Sequence, residues 1–223
     1  MISVRDLHHG ILDIDALDIT PGITSVIGPN GSGKTTLLKL LSGISLPERG
    51  SIQVDGKPPR QVETGWVNEF PDRNILFDTV ADEVSSTLRF HRMSCPEAEH
   101  RVKDQMVMMK ISPLYNRPVQ DLSGGEKILT ALAAATVLQP RLIVLDEYDS
   151  HLDHSRAQEI ENFLKNSTIS YIIRCTQQME SAARGNAIIY LEKGTVVHQG
   201  PPDKVFTALS GTAFYPFSRR CDI

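Results

Sequence analysis

The chain has 223 residues, of which 40% are hydrophobic and 22% are charged, and its formal net charge is −4. A chain of this length buries enough surface to fold without disulfides or structural metals. Its charge provides no overall basic field, which argues against nucleic acid as a partner. Cys95, Cys175 and Cys221 are widely spaced and odd in number, so we expect free thiols in a reducing compartment. We expect no secretory signal, because the N-terminal stretch MISVRDL lacks a basic start and a long apolar core. We also expect no membrane-spanning helix, because no stretch approaches about 18 apolar residues.

The first half of the chain contains two predicted strands on either side of a glycine-rich loop and a helix. Residues 23–28 are apolar and β-branched, which predicts a buried strand. Residues 35–43 carry leucines at helical spacing and end at a glycine. Residues 50–56 alternate and are bounded by glycines, which predicts a half-exposed strand. Two further helices are predicted at residues 80–93 and 96–111, in a region richer in charge and methionine.

The second half alternates helices and strands. Residues 123–138 predict a helix with alanine and leucine on its packed face, and residues 141–146 predict a second buried strand. Residues 170–176 and 186–200 supply further strands, the last two forming a hairpin around Lys193 and Gly194.

This order of elements predicts the fold class. Strands that alternate with helices favour a parallel sheet with helices on both faces. The block at about residues 75–122 lacks buried-strand runs, and we interpret it as a helical insertion. We therefore predict a single α/β domain over residues 1–223.

The glycine-rich loop at residues 28–36 reads GPNGSGKTT and matches the phosphate-binding pattern G-x-x-x-x-G-K-S/T. It follows a predicted strand and opens a predicted helix, so its backbone N–H groups form a concave anion site. We expect Lys34 to reach the β- and γ-phosphates of a nucleotide and the Thr35 hydroxyl to bind Mg²⁺. The alternative is a glycine-rich turn that matches by chance. The predicted nucleotide-binding residues of the loop are Gly28, Pro29, Asn30, Gly31, Ser32, Gly33, Lys34, Thr35 and Thr36.

Two carboxylates end the second buried strand, in the stretch LIVLDE at residues 142–147. A phosphate-binding loop needs an acid at the end of such a strand, and we predict that Asp146 supports Mg²⁺. Glu147 is placed to polarise a water in line with the γ-phosphate and to act as general base. The alternative for Glu147 is a structural or solvated carboxylate.

The segment LSGGEK, residues 122–127, lies between these two motifs. With the three motifs in this order, the chain resembles the nucleotide-binding subunits of ABC-type ATPases over about residues 2–207. The resemblance implies a P-loop NTPase core with a parallel sheet, an antiparallel N-terminal β-subdomain and an inserted helical subdomain. It also implies a head-to-tail dimer of two such subunits, in which Asp153 packs across the interface. The predicted contacts to ATP held by the other subunit are Ser123, Gly124, Gly125 and Glu126.

The resemblance also places His9 near the adenine base. ABC-type subunits often have an aromatic residue there that stacks on the base, and histidine stacks less strongly. The alternative is that His8 and His9 form a surface pair.

Four features depart from the ABC-type pattern. Glu69 aligns with a glutamine, so we expect it to offer an oxygen to Mg²⁺ while adding a negative charge. Gln177 aligns with a histidine, so we expect it to be a catalytic residue that donates a hydrogen bond to the γ-phosphate without carrying a proton. The usual arginine after the LSGGE segment is missing. Tyr148 and Asp149 replace a Pro-Thr pair, and we expect Asp149 to be merely polar. Because Glu69 and Gln177 lie at γ-phosphate contacts, we hypothesise that the chain hydrolyses ATP slowly or needs a more typical partner.

Within the ABC-type proteins, the chain most resembles energy-coupling-factor and cobalt-type importers. The resemblance lies in residues 66–84, Glu126 and the ending LEKGTVVHQGPPDKVF. That resemblance implies a peripheral subunit on the cytoplasmic face of the cell membrane, docked to an integral membrane transport subunit. It also implies that the chain couples ATP hydrolysis to transport, and it favours import over export. The expected docking surface includes Phe70, Ile75, Leu76 and Phe77. Ordinary core packing is the alternative for these residues. Two other functions stay open: a soluble non-transport ABC ATPase, or a slow or regulatory ATP-binding half of a heterodimer.

Overall fold

The computed structural model describes residues 1–70, 75–150 and 152–222. The strands are β1 (Ile2–His9), β2 (Leu12–Ile19), β3 (Gly22–Ile27), β4 (Arg49–Val54), β5 (Thr64–Val67), β6 (Leu142–Asp146), β7 (Tyr171–Cys175), β8 (Ala187–Glu192) and β9 (Thr195–Gly200). The helices are α1 (Lys34–Leu41), α2 (Val80–Phe90), α3 (Cys95–Met108), α4 (Gly124–Thr136), α5 (His154–Asn166), α6 (Met179–Ala182) and α7 (Pro202–Ala208). Cys95 and Cys175 are free thiols, as predicted, and the side chain of Cys221 lies outside the described part of the chain.

The N-terminal strands form an antiparallel sheet in the order β2-β1-β4. Apolar side chains of β2 at Leu12, Ile14, Leu17 and Ile19 are buried, while the aspartates between them face solvent. This alternation is what a sheet with one solvated face requires. The antiparallel N-terminal β-structure implied by the resemblance is confirmed.

A second sheet has the strand order β5-β6-β7-β3-β8-β9, in which the first five strands are parallel and β9 is antiparallel to β8. The predicted parallel sheet and terminal hairpin are therefore confirmed. In the register of this sheet, Cys175 of β7 lies between Asp146 of β6 and Val26 of β3. The loops that follow these three strands consequently meet at one edge of the sheet.

Both faces of the parallel sheet are covered. Leu142 and Val144 of β6 pack in a cluster with α1 and the antiparallel sheet. Ile143 and Leu145 pack on the opposite face, against residues of α2, α3, α4 and α5. A strand buried on both faces is a continuous apolar run, which explains the sequence of β6. Helices α2 and α3 lie between β5 and β6 in the chain, and α2 packs on α4; that residues 75–122 form a separate insertion stays a prediction.

Candidate functional site

The glycine-rich loop connects β3 to α1 and packs tightly against its neighbours. Gly28, Gly31 and Gly33 have positive φ angles of 148°, 77° and 101°. A Cβ on Gly28 would lie 2.0 Å from the carbonyl oxygen of Leu191, and one on Gly33 would lie 2.7 Å from Cδ2 of Leu12. The N–H of Gly194, in the β8–β9 hairpin, donates to the carbonyl of Ser32 at 3.1 Å. Glycine is required at both packed positions, and the hairpin supports the loop from behind.

The start of α1 is arranged to receive an anion. Among the described residues no side chain caps this helix, and its first turn contains no acid. The N–H groups of that turn and the positive end of the helix dipole therefore remain available. The Lys34 ammonium is buried and donates to the carbonyls of Gly28 and Pro29, both at 3.0 Å. The buried Ser32 hydroxyl has no hydrogen-bond partner among the described residues, which fits an external oxygen ligand such as phosphate.

Thr35 and Asp146 meet at the edge of the sheet, although they belong to different strand–helix units. The Thr35 hydroxyl donates to Oδ1 of Asp146 at 3.3 Å. Both residues line a cavity of about 610 Å³ together with Glu69 and Lys39. The structure therefore brings the three predicted Mg²⁺ ligands, Thr35, Asp146 and Glu69, to one cavity.

The donor set fits Mg²⁺ held jointly with a nucleotide. Hydroxyl and carboxylate oxygens are its preferred ligands, and it takes one or two protein carboxylates while phosphates and waters fill the remaining positions. Within residues 1–70, 75–150 and 152–222 no cluster of three or more His, Cys, Asp or Glu side chains forms a metal site by itself. The site accordingly suits a metal that arrives with its substrate.

Electrostatics at Asp146 favour a nearby cation. Burial raises the pKa of Asp146 above its ordinary value, the hydrogen bond from Thr35 lowers this pKa in part, and the negative charge of Glu147 raises it further. Burial and the adjacent Asp146 also raise the pKa of the Cys175 thiol well above its ordinary value. Two carboxylates lie side by side in a partly desolvated position, where their negative charges repel each other. A positive charge between them and the substrate stabilises both in the ionised form.

Glu147 and Gln177 form a hydrogen-bonded pair beside the loop. Nε2 of Gln177 donates to Oε2 of Glu147 at 3.0 Å. The backbone N–H of Glu147 donates to the carbonyl of Cys175 at 3.0 Å, and its φ angle is 49°. Both side chains line a cavity of about 670 Å³ whose other lining residues are His9, Gly10, Ile11, Asn30, Gly31, Gly33, Lys34, Thr35 and Thr36. The predicted catalytic pair and the predicted phosphate-binding loop thus share one cavity.

His9 lines the same cavity and is half-buried. Its Nδ1 lies 3.6 Å from Oε1 of Glu48, and Nε2 of His8 lies 4.0 Å from Oε2 of the same carboxylate. His9 therefore faces the cavity, as the adenine prediction requires, while also sharing an acid with His8. Its stacking on a base stays a prediction.

The LSGGE segment forms the N-terminus of α4. The Ser123 hydroxyl accepts from the N–H of Glu126 at 3.3 Å, and Oε2 of Glu126 accepts from the N–H of Ser123 at 2.8 Å. Arg117 also pairs with Glu126 at 3.2 Å. The residues that line the two cavities include none from residues 122–127. The segment is therefore preformed but does not border its own chain's phosphate loop.

One expectation for the acid cluster is wrong. Asp149 is not merely polar: it is 2% exposed and accepts from the Thr176 hydroxyl at 2.7 Å, and burial raises its pKa. Asp153 caps α5 by accepting from the N–H of Arg156 at 2.8 Å. Its predicted contact across a dimer interface stays a prediction.

Of the expected docking residues, Phe70 and Leu76 are exposed, with Leu76 at 79%. Ile75 and Phe77 are half-buried, and Ile75 packs on the core, so the core-packing alternative holds in part for Ile75. Residues 71–74 of the predicted stretch lie outside the described residues. Leu76 borders a groove of about 500 Å³ between the segment before α2 and the one before α4.

The family described as ABC transporter matches residues 13–150 of the chain. The chain belongs to the ABC transporter family. Its P-loop fold and its assignment as an ABC-type ATPase that binds nucleotide follow from this membership. No helix in the described part of the chain is long and apolar enough to span a membrane.

Curated relatives carry transporter names. The energy-coupling factor transporter ATP-binding protein EcfA1 of Enterococcus faecalis is 33% identical over 194 residues, which are 82% of this chain and 70% of that protein. EcfA of Onion yellows phytoplasma is 32% identical over 219 residues, or 92% of this chain and 81% of the relative. A solved structure of cbiO1 from Clostridium perfringens, described as part of the ABC transporter complex cbiONQ, superposes with a TM-score of 0.84 at 27% identity, covering 92% of this chain and 90% of the other.

Sequence reasoning did not connect Tyr148, Arg174 and Cys175 with Glu147. Cys175 Sγ lies 3.9 Å from Oε1 of Glu147. Tyr148 follows Glu147 directly, and Nη1 of the buried Arg174 lies 3.5 Å from the Tyr148 hydroxyl. A signal was present, because Arg174 interrupts the apolar stretch YIIRC, and a charge inside a buried strand demands a partner.

Proposed function

We propose that this chain is the ATP-hydrolysing subunit of a membrane importer, and that it works as a dimer with a second ABC-type subunit. The observation that supports this most directly is the convergence of Lys34, Thr35, Asp146, Glu147 and Gln177 on adjoining cavities at one edge of the sheet. A phosphate loop, a metal-binding oxygen pair and a base with its hydrogen-bonding partner are what phosphoryl transfer to water needs.

Each side chain has a role in this proposal. The loop N–H groups and Lys34 hold the β- and γ-phosphates, and Thr35, Asp146 and Glu69 would hold Mg²⁺. When bound, Mg²⁺ would neutralise negative charge on the phosphates. Glu147 orients the attacking water and accepts its proton. Gln177 holds the Glu147 carboxylate but cannot take up the proton itself.

The proposed dimer is inferred from the LSGGE segment, which lines neither of the two cavities of the single chain. The N-terminus of α4 is preformed by its capping box, and in the described part of the chain no atom outside this turn lies within 4 Å of the position that a Cβ on Gly124 would take. An exposed helix N-terminus with two glycines suits close approach to a phosphate of a second subunit. We therefore assign Ser123, Gly124, Gly125 and Glu126 to the nucleotide bound by the other subunit.

The membrane partner is proposed from the exposed apolar surface around Phe70 and Leu76. Exposed large apolar side chains beside a groove are typical of interaction sites. The named relatives are ATP-binding proteins of energy-coupling factor transporters, and cbiO1 is part of a transporter complex. This surface would place the chain at the cytoplasmic face of the cell membrane as a peripheral subunit.

The decisive experiment measures steady-state ATP hydrolysis by the wild-type chain and by Glu147→Gln over a range of protein concentrations. We expect turnover per subunit to rise with concentration and to fall about 100-fold or more in Glu147→Gln, because the base is lost. Glu99→Gln, an exposed carboxylate on α3, is the matched control and should leave turnover unchanged. Equal turnover in wild type and Glu147→Gln would overturn the proposed role.

A second experiment addresses the membrane partner. Leu76→Asp should shift the tagged chain from the membrane fraction to the soluble fraction of its own cells, because a charge replaces an exposed apolar contact. Phe217→Asp changes a residue of similar exposure, 73%, in the C-terminal segment and serves as control. Identical fractionation of the wild type and Leu76→Asp would argue against this docking surface.

A second candidate function rests on Gln177. Since a glutamine stands where the ABC-type pattern has a histidine, the chain can be the slower half of a heterodimer. If the isolated chain does not hydrolyse ATP, but ATP hydrolysis appears when a second ABC-type subunit is added, the heterodimer is favoured.

A further inference from the structure

Arg174 is buried in the middle of the protein, with none of its side chain exposed. It forms an ion pair with Glu161 of α5, donates to the carbonyl of Ser181 in α6, and donates through Nε to the Ser25 hydroxyl of β3 at 3.0 Å. Glu161 is itself 2% exposed. A buried charge is tolerated only when paired and hydrogen-bonded in this way. Arg174 therefore ties β7 to three neighbouring elements.

This buried pair reaches the residue next to Glu147. The hydroxyl of Tyr148 lies 3.5 Å from Nη1 of Arg174 and 3.4 Å from Oε1 of Glu161. These are long hydrogen bonds, but the Tyr148 ring is only 2% exposed, so its position is set by what encloses it.

The backbone of Glu147 needs such support. Its φ angle of 49° lies in the left-handed region, which is unfavourable for residues with a side chain and persists only when the surroundings enforce it. On the far side of Tyr148, Asp149 accepts from the Thr176 hydroxyl, and Nε2 of Gln178 donates to the Asp149 carbonyl at 2.9 Å. The segment after Glu147 is thus joined to the segment that carries Gln177.

We propose that the buried cluster of Arg174, Glu161 and Tyr148 is a positioning element for the Glu147–Gln177 pair. By holding Tyr148, it keeps Glu147 in the left-handed conformation from which its carboxylate meets Gln177 in the cavity. Since Glu161 lies on α5, the same cluster connects the pair to the helix that Asp153 caps. The inference rests on the proposed function for its catalytic consequence, whereas its structural part stands independently.

The test uses the full chain with the double substitution Arg174→Met and Glu161→Leu. A buried ion pair replaced by apolar side chains of similar size often keeps the fold, whereas removal of one partner leaves an unpaired charge. We expect kcat for ATP to fall about 10- to 100-fold, because the base is misplaced, while the Kd for ATP changes by less than about twofold. Hydrogen exchange of the backbone amides of residues 147–150 should accelerate about tenfold, as local opening becomes easier.

The matched control is Lys103→Met with Glu99→Leu, which removes an exposed ion pair on α3 and should leave all three measurements unchanged. If the double variant at Arg174 and Glu161 does not fold, Tyr148→Leu decides, because it keeps the ion pair and removes the enclosed ring through which the pair is proposed to act. A folded variant with wild-type kcat and wild-type amide protection overturns the inference. If Glu147→Gln leaves turnover intact, the proposed function fails instead, and amide protection alone then decides whether the cluster holds Glu147.

Discussion

Gly28 and Gly31 occupy the same loop but meet different surroundings. Both have positive φ angles, yet a Cβ on Gly28 would overlap the Leu191 carbonyl, while a Cβ on Gly31 would lie more than 4 Å from every described residue other than its chain neighbours. The backbone of Leu191 belongs to the central sheet and cannot move aside. An alanine at Gly28 adds a steric clash to the backbone strain, whereas an alanine at Gly31 adds backbone strain alone. Comparing the stability of the two variants therefore separates the two costs.

Gly28→Ala should lower the free energy of unfolding by up to about 3 kcal/mol, the upper end of the range of about 1–3 kcal/mol that is typical of overpacking, and should abolish nucleotide binding. Gly31→Ala should cost only about 1 kcal/mol, from the left-handed backbone. Thermal unfolding and titration with a fluorescent ATP analogue measure both effects. Equal losses in the two variants would show that the contact with Leu191 has no special weight.

The contribution of Gln177 to catalysis can also be measured with a single substitution. Gln177→Ala removes the hydrogen bond to the Glu147 carboxylate, and a bond to a charged group is worth about 1.5 kcal/mol or more. We expect kcat to fall about tenfold while ATP affinity stays within about twofold. Gln120→Ala, at an exposed position, is the control. An unchanged kcat would remove Gln177 from the proposed mechanism.

Helix α4 shows how a local motif prepares a site at the level of an element. Its capping box satisfies the N–H groups of Ser123 and Glu126 and holds the helix N-terminus in place. The helix α2 has a comparable cap, since the Thr79 hydroxyl accepts from the N–H of Asp82 at 3.2 Å. Removing each cap in turn therefore distinguishes the effect of lost helix stability from the effect of a lost contact to the nucleotide.

Ser123→Ala and Thr79→Ala should each cost about 1 kcal/mol of stability, the usual value for a lost N-cap. Only Ser123→Ala should also weaken ATP-dependent dimerisation, because only that hydroxyl lies in the proposed contact to the other subunit. Sedimentation of both variants with ATP, in the Glu147→Gln background, gives the measurement. A dimer equally weakened by Thr79→Ala would mean that helix stability alone decides.

The elements differ in how well their sequences predicted them. Helix α1, helix α4 and strand β6 were predicted because each has a long or fully apolar pattern bounded by clear signals. Strand β5 has only four residues, one of them glycine, and no pattern emerges from so short a stretch. Helix α5 was missed because it is mostly polar and buries little beyond Ile160, Glu161 and Leu164.

At the scale of the whole molecule, Asp55 joins the two sheets. It follows β4 of the antiparallel sheet and accepts from the Tyr171 hydroxyl at 2.6 Å and from Arg141 at 2.7 Å, beside β7 and β6. It also pairs with the N-terminal amine of Met1. The bond from the amine and that from Tyr171 lower the pKa of Asp55 well below its ordinary value, with a smaller contribution from Arg141, while burial opposes them.

A carboxyl group with a lowered pKa in the fold stabilises the protein above its unfolded pKa of about 4, and this stabilisation is lost as pH falls. Asp55→Asn should therefore cost about 1–2 kcal/mol at pH 7, and the difference from wild type should shrink as pH falls below about 4. Asparagine tolerates the positive φ of 50° at this position, so the backbone is retained.

Thermal unfolding from pH 7 down to about pH 2 measures this effect, because the loss extends to the lowered pKa of the folded state. Asp18→Asn, which removes an exposed ion pair with Arg5, is the control and should cost less than about 1 kcal/mol. A difference between wild type and Asp55→Asn that is constant with pH would show that the carboxylate charge is not what joins the sheets.

The sequence by itself determined the phosphate loop, the LSGGE helix start and the strand that ends in two acids, because each is a contiguous motif that acts through local backbone geometry. Only the tertiary structure decided that Thr35 meets Asp146, 111 residues away, that Gln177 meets Glu147, 30 residues away, and that Arg174 contacts Tyr148, the residue after Glu147. The physical reason is the strand order β6-β7-β3, which brings the ends of strands distant in sequence to one edge of the sheet. Sequence spacing carries no record of that order, so the site's parts were predictable one by one and their contacts were not.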